Sequence, residues 1–536
     1  MDRVVIVGSG ASGVHFALSL LQKGYDVHML DVGATGSEPV NQQDSFVGLK
    51  SNLIDPAAYF LGEDFSGVFL PEGQSEYYGI PPNKSYVLTN VADGYLKTRG
   101  FSPLQSFAQG GLAQVWTGGA YPFNSYELEA YPFSYKDIEP YYGEVAKRIG
   151  ISGVDDDLSR FMPVHDHLLS PLDIDEHSAV LLSEYAKHKS FLHEKFGCYF
   201  GRSRSATLTA AKRGRPACSY LGRCLWGCPT DAFYTPSITL RECADFSNFH
   251  YHPGLRIRHF KYDGKRHITS VVTQSQTGAA LQDLPVDRLV LAAGTLASSK
   301  IFMQSIYQAT GEFVKLPGLM DNRQVLIPFV NLKMIGRAFD PATYQYHQVA
   351  FGIEGEEPAE YLHGLITTLK TAMIHPIIQK IPLDLKTSTF LFRNLHAALG
   401  LVNLNFYDTR RDDNFVVLEA GNGKAETTLR IDYTPPPGEG EAITKALRKV
   451  RRVLRKLKCV VPPGMAHVRP MGASVHYAGT LPMSRTNRPF TTTEFCQSRD
   501  FDNLYIVDGS TFPYLPAKNI TFTLMANAVR VGECLF

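Results

Sequence analysis

The 536-residue sequence has no surplus of either charge: 53 Lys and Arg against 52 Asp and Glu give a formal net charge of +1 at pH 7. A chain so balanced has no overall field that would attract nucleic acid. Long apolar runs are also missing, because no uninterrupted stretch reaches the roughly 20 residues that a membrane-spanning helix needs. We therefore expect no nucleic-acid partner and no transmembrane segment, so that any membrane attachment would come through a partner subunit.

Cysteine is scarce, with eight residues in the chain, and three of the eight lie close together. This number and this clustering argue against a disulfide-stapled secreted scaffold. A strand-like run begins at the N-terminus, where a signal peptide would otherwise lie. We expect a cytoplasmic protein by default, and a periplasmic or membrane-associated one only if a partner subunit carries it.

The N-terminus carries the pattern of a dinucleotide-binding turn. An apolar strand is followed by Gly8-Ser-Gly10-Ala-Ser-Gly13, and the next strand closes at Asp31. In this pattern the first glycine permits a tight turn, the second lets the backbone approach a pyrophosphate, and the third lets helix and strand pack closely. The carboxylate can hydrogen-bond an adenosine ribose. The pattern alone is weak, since an NAD-dependent dehydrogenase or a non-catalytic nucleotide-binding protein would also carry it.

Further motifs in the middle and at the end of the chain narrow the choice. They are the loop 110–119, the Gly294 turn after an apolar strand, His476 followed by Gly479-Thr480, the run Asp508-Gly509-Ser510, and Lys518-Asn519. Together with the N-terminal turn, they resemble the glucose-methanol-choline (GMC) family of FAD-dependent alcohol oxidoreductases. The resemblance is closest to the catalytic subunits of FAD-dependent glucose, fructose and gluconate dehydrogenases and to pyranose-oxidase-like members.

This resemblance implies a reaction and a set of cofactor contacts. The reaction is oxidation of a CH–OH group of a sugar, polyol or related alcohol by hydride transfer to flavin N5. The implied FAD-binding positions are Gly8, Gly10, Gly13, Asp31, Gly110, Gly111, Trp116, Thr117, Gly294, Asp508, Gly509, Asn519 and Ile520.

The resemblance also implies that His476 and Asn519 are the catalytic residues. Hydride removal from a CH–OH group needs a base for the hydroxyl proton, and a neutral histidine, with a reference pKa near 6.5, can be that base. The family places His or Asn at the second position, where the side chain hydrogen-bonds the substrate oxygen. A helix is expected to begin just after Asn519, so this amide can also cap that helix.

One position departs from part of the family. Pyranose-oxidase-like members carry a histidine immediately before the Trp of the flavin loop, and that histidine bonds covalently to FAD. In this chain the position is Val115, which has no nucleophile. We therefore expect FAD to be held non-covalently.

Cys218, Cys224 and Cys228 lie within eleven residues, and Pro229 follows the third. Their spacing does not match the bacterial ferredoxin run, but it resembles the signature of FAD-dependent glucose and fructose dehydrogenases, whose cysteines hold a 3Fe–4S cluster. That resemblance implies electron exit to a cytochrome or another acceptor, and a small chaperone-like subunit. A zinc site completed by Cys243 or a histidine remains open, as do buried thiols without metal. An oxidase of the same fold that passes electrons to O2 without a cluster is the alternative function.

These observations predict an α/β protein. It comprises a discontinuous Rossmann-like FAD-binding domain and an α+β substrate-binding domain with a mixed or antiparallel sheet. The FAD-binding segments are predicted at 1–135, with an excursion at 34–100, at 201–309 with the cysteine motif, and at 469–536, with a cap segment at 136–200 and the substrate domain at 310–468. A basic face on a predicted helix at 442–458 fits either a solvated surface or a dock for an acidic electron acceptor.

Overall fold

The computed structural model describes residues 3–36, 44–62, 65, 67, 76, 78–88, 96–275, 281–369, 378, 381–421 and 427–535. Part of the excursion predicted at 34–100 therefore lies outside the described residues. The boundaries predicted between domains stay a prediction, although the fold class is clear from the sheets.

A parallel sheet combines strands from the beginning, middle and end of the chain. Its five strands, in spatial order, are Leu504–Ile506, Arg288–Leu291, Arg3–Val7, Asp26–Leu30 and Phe249–His252. Every neighbouring pair is parallel. The central strand, Arg3–Val7, is apolar and buried after its first residue, as a strand covered on both faces must be. The predicted discontinuous α/β domain is thereby confirmed.

The first and last long helices complete this domain. Helix Ala11–Gln22 packs against helix Thr521–Leu535, and both bury most of their residues. The buried Arg148 guanidinium crosslinks the two helices, because it donates to Ser19 Oγ at 3.0 Å and to Glu533 Oε1 at 3.2 Å. The C-terminus thus returns to the dinucleotide turn.

A second, antiparallel sheet lies on the substrate side. In spatial order its strands are Cys459–Val460, Gln324–Asn331, Leu399–Asn405, Leu362–Thr368, Val349–Ile353 and Cys198–Arg202, with His467–Val468 also beside Gln324–Asn331. Helices Glu176–Phe196 and Glu439–Lys456 share a hydrophobic cluster with it. The boundary predicted between residues 200 and 201 falls inside the strand Cys198–Arg202.

Smaller sheets connect these two. They are the antiparallel meander Leu255–Tyr262, Ile268–Ser275 and Gln282–Pro285, the mixed sheet Lys315–Pro317, Phe415–Ala420, Thr427–Asp432 and Leu96–Arg99, and the pairs Asp408–Thr409 with Tyr514–Leu515 and Ile151–Ser152 with Leu168–Leu169. Further α-helices in the described ranges are Phe46–Asn52, Pro56–Leu61, Tyr135–Ile149, Pro236–Ala244, Thr295–Thr310 and Leu385–Leu395.

The helix predicted at 442–458 is confirmed as Glu439–Lys456, with Ile443, Val450 and Leu454 buried. Whether its basic face binds a partner stays a prediction. Within the described part of the chain, no helix is both long and apolar enough to cross a membrane.

Candidate active site

A cavity opens at the carboxyl ends of the parallel strands, where ligands bind in sheets of this kind. Nine of the residues predicted to contact a cofactor line it: Gly8, Gly10, Asp31, Gly110, Gly111, Gly294, Asp508, Gly509 and Ile520. His476 lines it as well. The other predicted contacts do not line it: Gly13, Trp116, Thr117 and Asn519.

The N-terminal glycines leave room that other residues would fill. Gly8 has a φ of +102°, and a Cβ there would lie 2.7 Å from the Ala292 carbonyl oxygen. A Cβ on Gly13 would lie 2.1 Å from the Gly8 oxygen, so this glycine serves helix packing rather than ligand contact. Around Gly10 the nearest atom to such a Cβ is 3.9 Å away, which leaves its backbone open to the cavity.

Three helices begin at this cavity. Ala11–Gln22 starts after Gly10 and Thr295–Thr310 starts after Gly294. Each N-cap is thus a glycine, which has no side chain to accept a hydrogen bond from the first backbone N–H groups of its helix. Thr521–Leu535 begins directly after Ile520, which lines the cavity. Free backbone N–H groups and the positive ends of the helix dipoles favour an anion here. Such a site fits the pyrophosphate of a dinucleotide.

Asp31 is held by its neighbours at the end of its strand. Its Oδ2 accepts hydrogen bonds from the Ser9 hydroxyl and, at 3.3 Å, from the Tyr251 hydroxyl. Burial raises the pKa of Asp31 to about 6. The Ser9 hydroxyl also accepts the Gly110 N–H at 2.9 Å, which fastens the loop 110–119 to the dinucleotide turn.

Asp508 supports the cavity wall. Its carboxylate accepts the Gly294 N–H at 3.0 Å, the Ser298 hydroxyl, and the Ser510 hydroxyl at 2.6 Å. These bonds fix the Gly294 turn against the C-terminal segment. The side chain of Asp508 therefore shapes the site by holding backbone in place.

Trp116, in the loop 110–119, packs on the same apolar cluster as the cysteine motif. Trp116 Nε1 donates to the Tyr234 carbonyl at 2.8 Å, and the Thr117 carbonyl accepts from the Tyr344 hydroxyl at 3.5 Å. Val115 ends the short helix Gly111–Val115. The loop thus joins the cavity on one side to an apolar cluster on the other.

His476 and Asn519, the two residues predicted to be catalytic, lie side by side. Asn519 Nδ2 is 3.4 Å from His476 Nε2. Asn519 Oδ1 is buried and has no hydrogen-bond partner among the described residues. The helix expected after Asn519 is present and begins at Thr521.

Asn322 fixes the protonation pattern of the His476 ring. Asn322 Nδ2 donates to the Phe406 carbonyl at 2.7 Å and to the Pro516 carbonyl at 3.0 Å. The amide oxygen must therefore face His476 Nδ1, which lies 2.8 Å away. Since Oδ1 can only accept, Nδ1 carries the proton. Nε2 is left with a lone pair beside Asn519.

Asp321 holds the turn that carries His476. Its carboxylate accepts the Gly472 N–H at 2.7 Å, the His476 N–H at 3.2 Å, and the Ser474 hydroxyl. Val475 has a φ of +65°, which is unfavourable for a β-branched residue. The carboxylate thus stabilises a strained turn that aims the imidazole at Asn519. Burial raises the pKa of Asp321 to about 6.

The electrostatics keep His476 neutral. Burial, with the Arg469 guanidinium as a smaller cause, lowers the pKa of His476 to about 4. The imidazole is therefore unprotonated near pH 7, with Nε2 available as a proton acceptor.

Lys518, next to Asn519, is buried and fixes the position of the backbone around it. Its Nζ is fully buried and lies 2.6 Å from Glu127 Oε2, which is equally buried. It also donates to the carbonyls of Pro122 at 2.8 Å and Phe161 at 2.7 Å. Burial lowers the pKa of Lys518 to about 8. This pair fixes the backbone that presents Asn519.

A buried histidine, His363, lies on the strand Leu362–Thr368 of the antiparallel sheet. Both ring nitrogens of His363, and the Tyr361 hydroxyl, have no hydrogen-bond partner in the described part of the chain. The His363 ring packs against Tyr121 at a centroid distance of 4.7 Å. Burial, followed by the charges of Lys518, His347 and His476, lowers the pKa of His363 to about 3.

The three motif cysteines pack against one apolar cluster that also touches Trp116 and contains Tyr344. Cys218 Sγ accepts the Tyr220 N–H at 3.4 Å, and Cys228 Sγ accepts the Phe233 N–H at 3.5 Å. Burial raises the pKa of Cys218 to about 11 and holds the pKa of Cys224 well above its ordinary value. Among the described residues, no group of three ligand atoms within 4.8 Å of one another includes a cysteine. The spacing of the three motif cysteines therefore gives no evidence of a metal at this place.

The sequence patterns missed Asp321, Asn322 and Glu127, and they assigned no role to Lys518. These residues act through contacts far apart in the chain, and no local spacing marks them. The one available signal was the position of Lys518 directly before Asn519.

Comparison with known proteins identifies related sequences. A family model described as GMC oxidoreductase matches residues 410–528. Paromamine 6'-oxidase of Streptomyces fradiae is 22% identical, with 99% of this chain and 91% of that protein covered. 2-methyl-1,2-propanediol dehydrogenase of Mycolicibacterium austroafricanum is 21% identical, with 99% and 94% covered.

A solved structure supports the fold. Pyridoxine 4-oxidase from Mesorbium loti superposes with a TM-score of 0.60 at 15% identity, covering 100% of this chain and 99% of that one. At this identity the likeness concerns the fold alone.

Proposed function

We propose that this chain is a member of the GMC oxidoreductase family, whose model matches residues 410–528, and that it oxidises the CH–OH group of a sugar, polyol or related alcohol with FAD. The observation that carries the proposal is the His476–Asn519 pair beside the glycine-lined cavity. There a neutral imidazole presents a lone pair next to an amide donor. The proposed pair needs a hydride acceptor, which the protein side chains do not supply.

The cavity residues fit FAD. The open backbone at Gly10 and the three helix N-termini suit a pyrophosphate, and Asp31 suits a ribose hydroxyl. When bound, FAD supplies the hydride acceptor for alcohol oxidation. Val115 at the loop position next to Trp116 supports a non-covalent cofactor.

The chain's own residues divide the remaining work. The substrate hydroxyl displaces the long Asn519–His476 contact, donates its proton to Nε2 and accepts a hydrogen bond from Asn519 Nδ2. Asn322 keeps the Nδ1–H bond throughout, so the ring stays oriented when it becomes an imidazolium. Lys518 and Asp321 hold the two backbone segments that carry the pair.

A substrate with several hydroxyl groups is supported by buried polar atoms of Asn519 and of two residues on the antiparallel-sheet side, Tyr361 and His363. Among the described residues, no hydrogen-bond partner is present for Asn519 Oδ1, the His363 ring nitrogens or the Tyr361 hydroxyl. Buried polar groups of this kind cost free energy unless a ligand or water bonds them. Two relatives named for paromamine and for a diol support the same substrate class.

A second proposal concerns electron exit. The motif thiols lie beside the Trp116 loop, and two of them accept backbone N–H bonds, as sulfur ligands of iron–sulfur clusters do. Cys218, Cys224 and Cys228 would hold a 3Fe–4S cluster, which carries single electrons to a cytochrome or another acceptor. An oxidase that uses O2 is the competing proposal, and two relatives are named oxidases.

His476→Ala tests the proposed base. We expect substrate-dependent flavin reduction in anaerobic stopped flow to slow by roughly 10²–10⁴-fold while FAD stays bound. His188→Ala, a histidine on helix Glu176–Phe196, is the control and should reduce at the wild-type rate. Unchanged reduction by His476→Ala would refute the assignment.

Cys224→Ser tests the electron exit separately. If a cluster is present, protein purified anaerobically from a host with active cluster assembly contains iron, and this variant loses both iron and acceptor turnover but keeps flavin reduction. Iron-free wild-type protein that turns over with O2 would favour the oxidase.

A further inference from the structure

Four polar side chains cluster at the edge of the parallel sheet. Asp26 and His28 lie on one strand, and His250 and His252 lie on the neighbouring edge strand, with His28 opposite His250 in the register. Because side chains alternate along a strand, all four share one face of the sheet. None of them lines the cavity described above.

The distances within this cluster match those of a metal site. His28 Nε2 lies 3.3 Å from Asp26 Oδ2, and His250 Nε2 lies 3.1 Å from Asp26 Oδ1. Tetrahedral zinc, with bonds of about 2.0–2.1 Å, holds its ligand atoms roughly 3.3 Å apart. In the described ranges, these three residues are the only group of three or more His, Cys, Asp or Glu with ligand atoms all within 4.8 Å of one another.

His252 gives the cluster a partner beyond the three ligands. Its Nε2 lies 3.1 Å from His28 Nδ1, and the two rings stack at 5.3 Å with an interplanar angle of 6°. A metal-bound histidine needs an acceptor for its second N–H, which fixes the ring and its tautomer. With His252 as that acceptor, His28 Nε2 presents its lone pair toward Asp26.

The ligand types and their access to solvent also suit such an ion. Neutral imidazoles and one carboxylate are the ligand types that Zn²⁺ prefers at neutral pH. The side chains of Asp26, His28 and His250 are 33%, 21% and 44% exposed, so an ion can enter from solvent.

We propose that Asp26, His28 and His250 bind a divalent transition-metal ion of the Zn²⁺ type, with His252 as the orienting partner and water in the remaining position. His28 precedes Asp31 by three residues, about 10 Å along the strand, so the ion lies apart from the cavity. It fastens the edge strand to its neighbour. The site is independent of the proposed alcohol oxidation.

Zinc titration of chelator-treated holoprotein against a chromophoric zinc indicator tests the site. We expect wild-type protein to bind one Zn²⁺ that His250→Gln and Asp26→Asn do not bind. His252→Phe keeps the three ligands but removes the acceptor, and should weaken binding by about 10- to 100-fold. Zinc should raise the thermal unfolding midpoint of wild-type protein and not that of His250→Gln.

Two controls separate this site from others. His267→Gln removes an exposed imidazole that pairs with Asp502 at 2.9 Å, and Cys224→Ser alters the thiols that could compete for zinc. Both should keep the ion that His250→Gln loses, and FAD content should be equal in all variants. Equal uptake by wild type and His250→Gln, loss of this ion in Cys224→Ser, or no uptake by wild type would overturn the proposal.

Discussion

Replacing Asn322 with Leu should slow the reaction without removing the base. Asn322 does not line the cavity, but it accepts the His476 Nδ1–H bond. Leu has a similar volume and cannot accept a hydrogen bond. In the Asn322→Leu protein, the proton of the neutral imidazole is free to occupy Nε2, where it blocks proton uptake from the substrate.

The size of the effect follows from one hydrogen bond. A neutral hydrogen bond contributes about 1 kcal/mol net, which corresponds to roughly a fivefold change in the population of the reactive tautomer. The ring also loses its fixed orientation, so we expect flavin reduction to slow by about 5- to 50-fold. This loss is smaller than the roughly 10²–10⁴-fold expected for His476→Ala. Leaving the Phe406 and Pro516 carbonyls without donors should also lower stability by about 1–3 kcal/mol.

A double-mutant cycle in anaerobic stopped flow isolates the tautomer effect. Asn322→Leu in the His476→Ala background should change the reduction rate less than about twofold, because Asn322 acts through His476. Asn414→Leu is the matched control: this fully buried amide accepts the Thr434 N–H at 2.8 Å and does not contact His476. It should lower the melting temperature and leave the reduction rate unchanged. Wild-type reduction by Asn322→Leu, or an equal loss in both backgrounds, would refute the reasoning.

Three other predictions concern pH, cofactor and stability. The neutral imidazole is the base, and burial lowers the pKa of His476 to about 4. The rate of flavin reduction in pH-jump stopped flow should therefore stay level from pH 8 to about 6 and halve near pH 4. A midpoint near the ordinary histidine value of about 6.5 would contradict this. FAD should leave the protein on acid precipitation, because Val115 cannot bond to it, and yellow colour retained in a washed pellet would show otherwise. Lys518→Met should cost about 3–5 kcal/mol in urea unfolding, because Glu127 would be left as an uncompensated buried charge, and adding Glu127→Leu should recover much of the loss; full stability of the single variant would contradict the anchor role.

Part of this protein could be predicted from contiguous residues. The Gly8–Gly10–Gly13 turn, the strand ending at Asp31 and the helix after Asn519 follow from local spacing, because backbone geometry at a turn selects its residues over a few positions. The return of the C-terminus to the first domain followed from a resemblance spread over both ends of the chain. The parallel sheet with strands from three segments bears it out.

The tertiary structure alone decided how the site works. Asn322 and His476 are 154 residues apart, and His28 and His252 are 224 apart, so no window of sequence contains either contact. Such contacts depend on how sheets and strands pack once the chain has folded. The sequence by itself determined which residue types were available for chemistry. Packing determined which nitrogen carries the proton, because the hydrogen bonds that Asn322 Nδ2 donates to two backbone carbonyls orient the Asn322 amide.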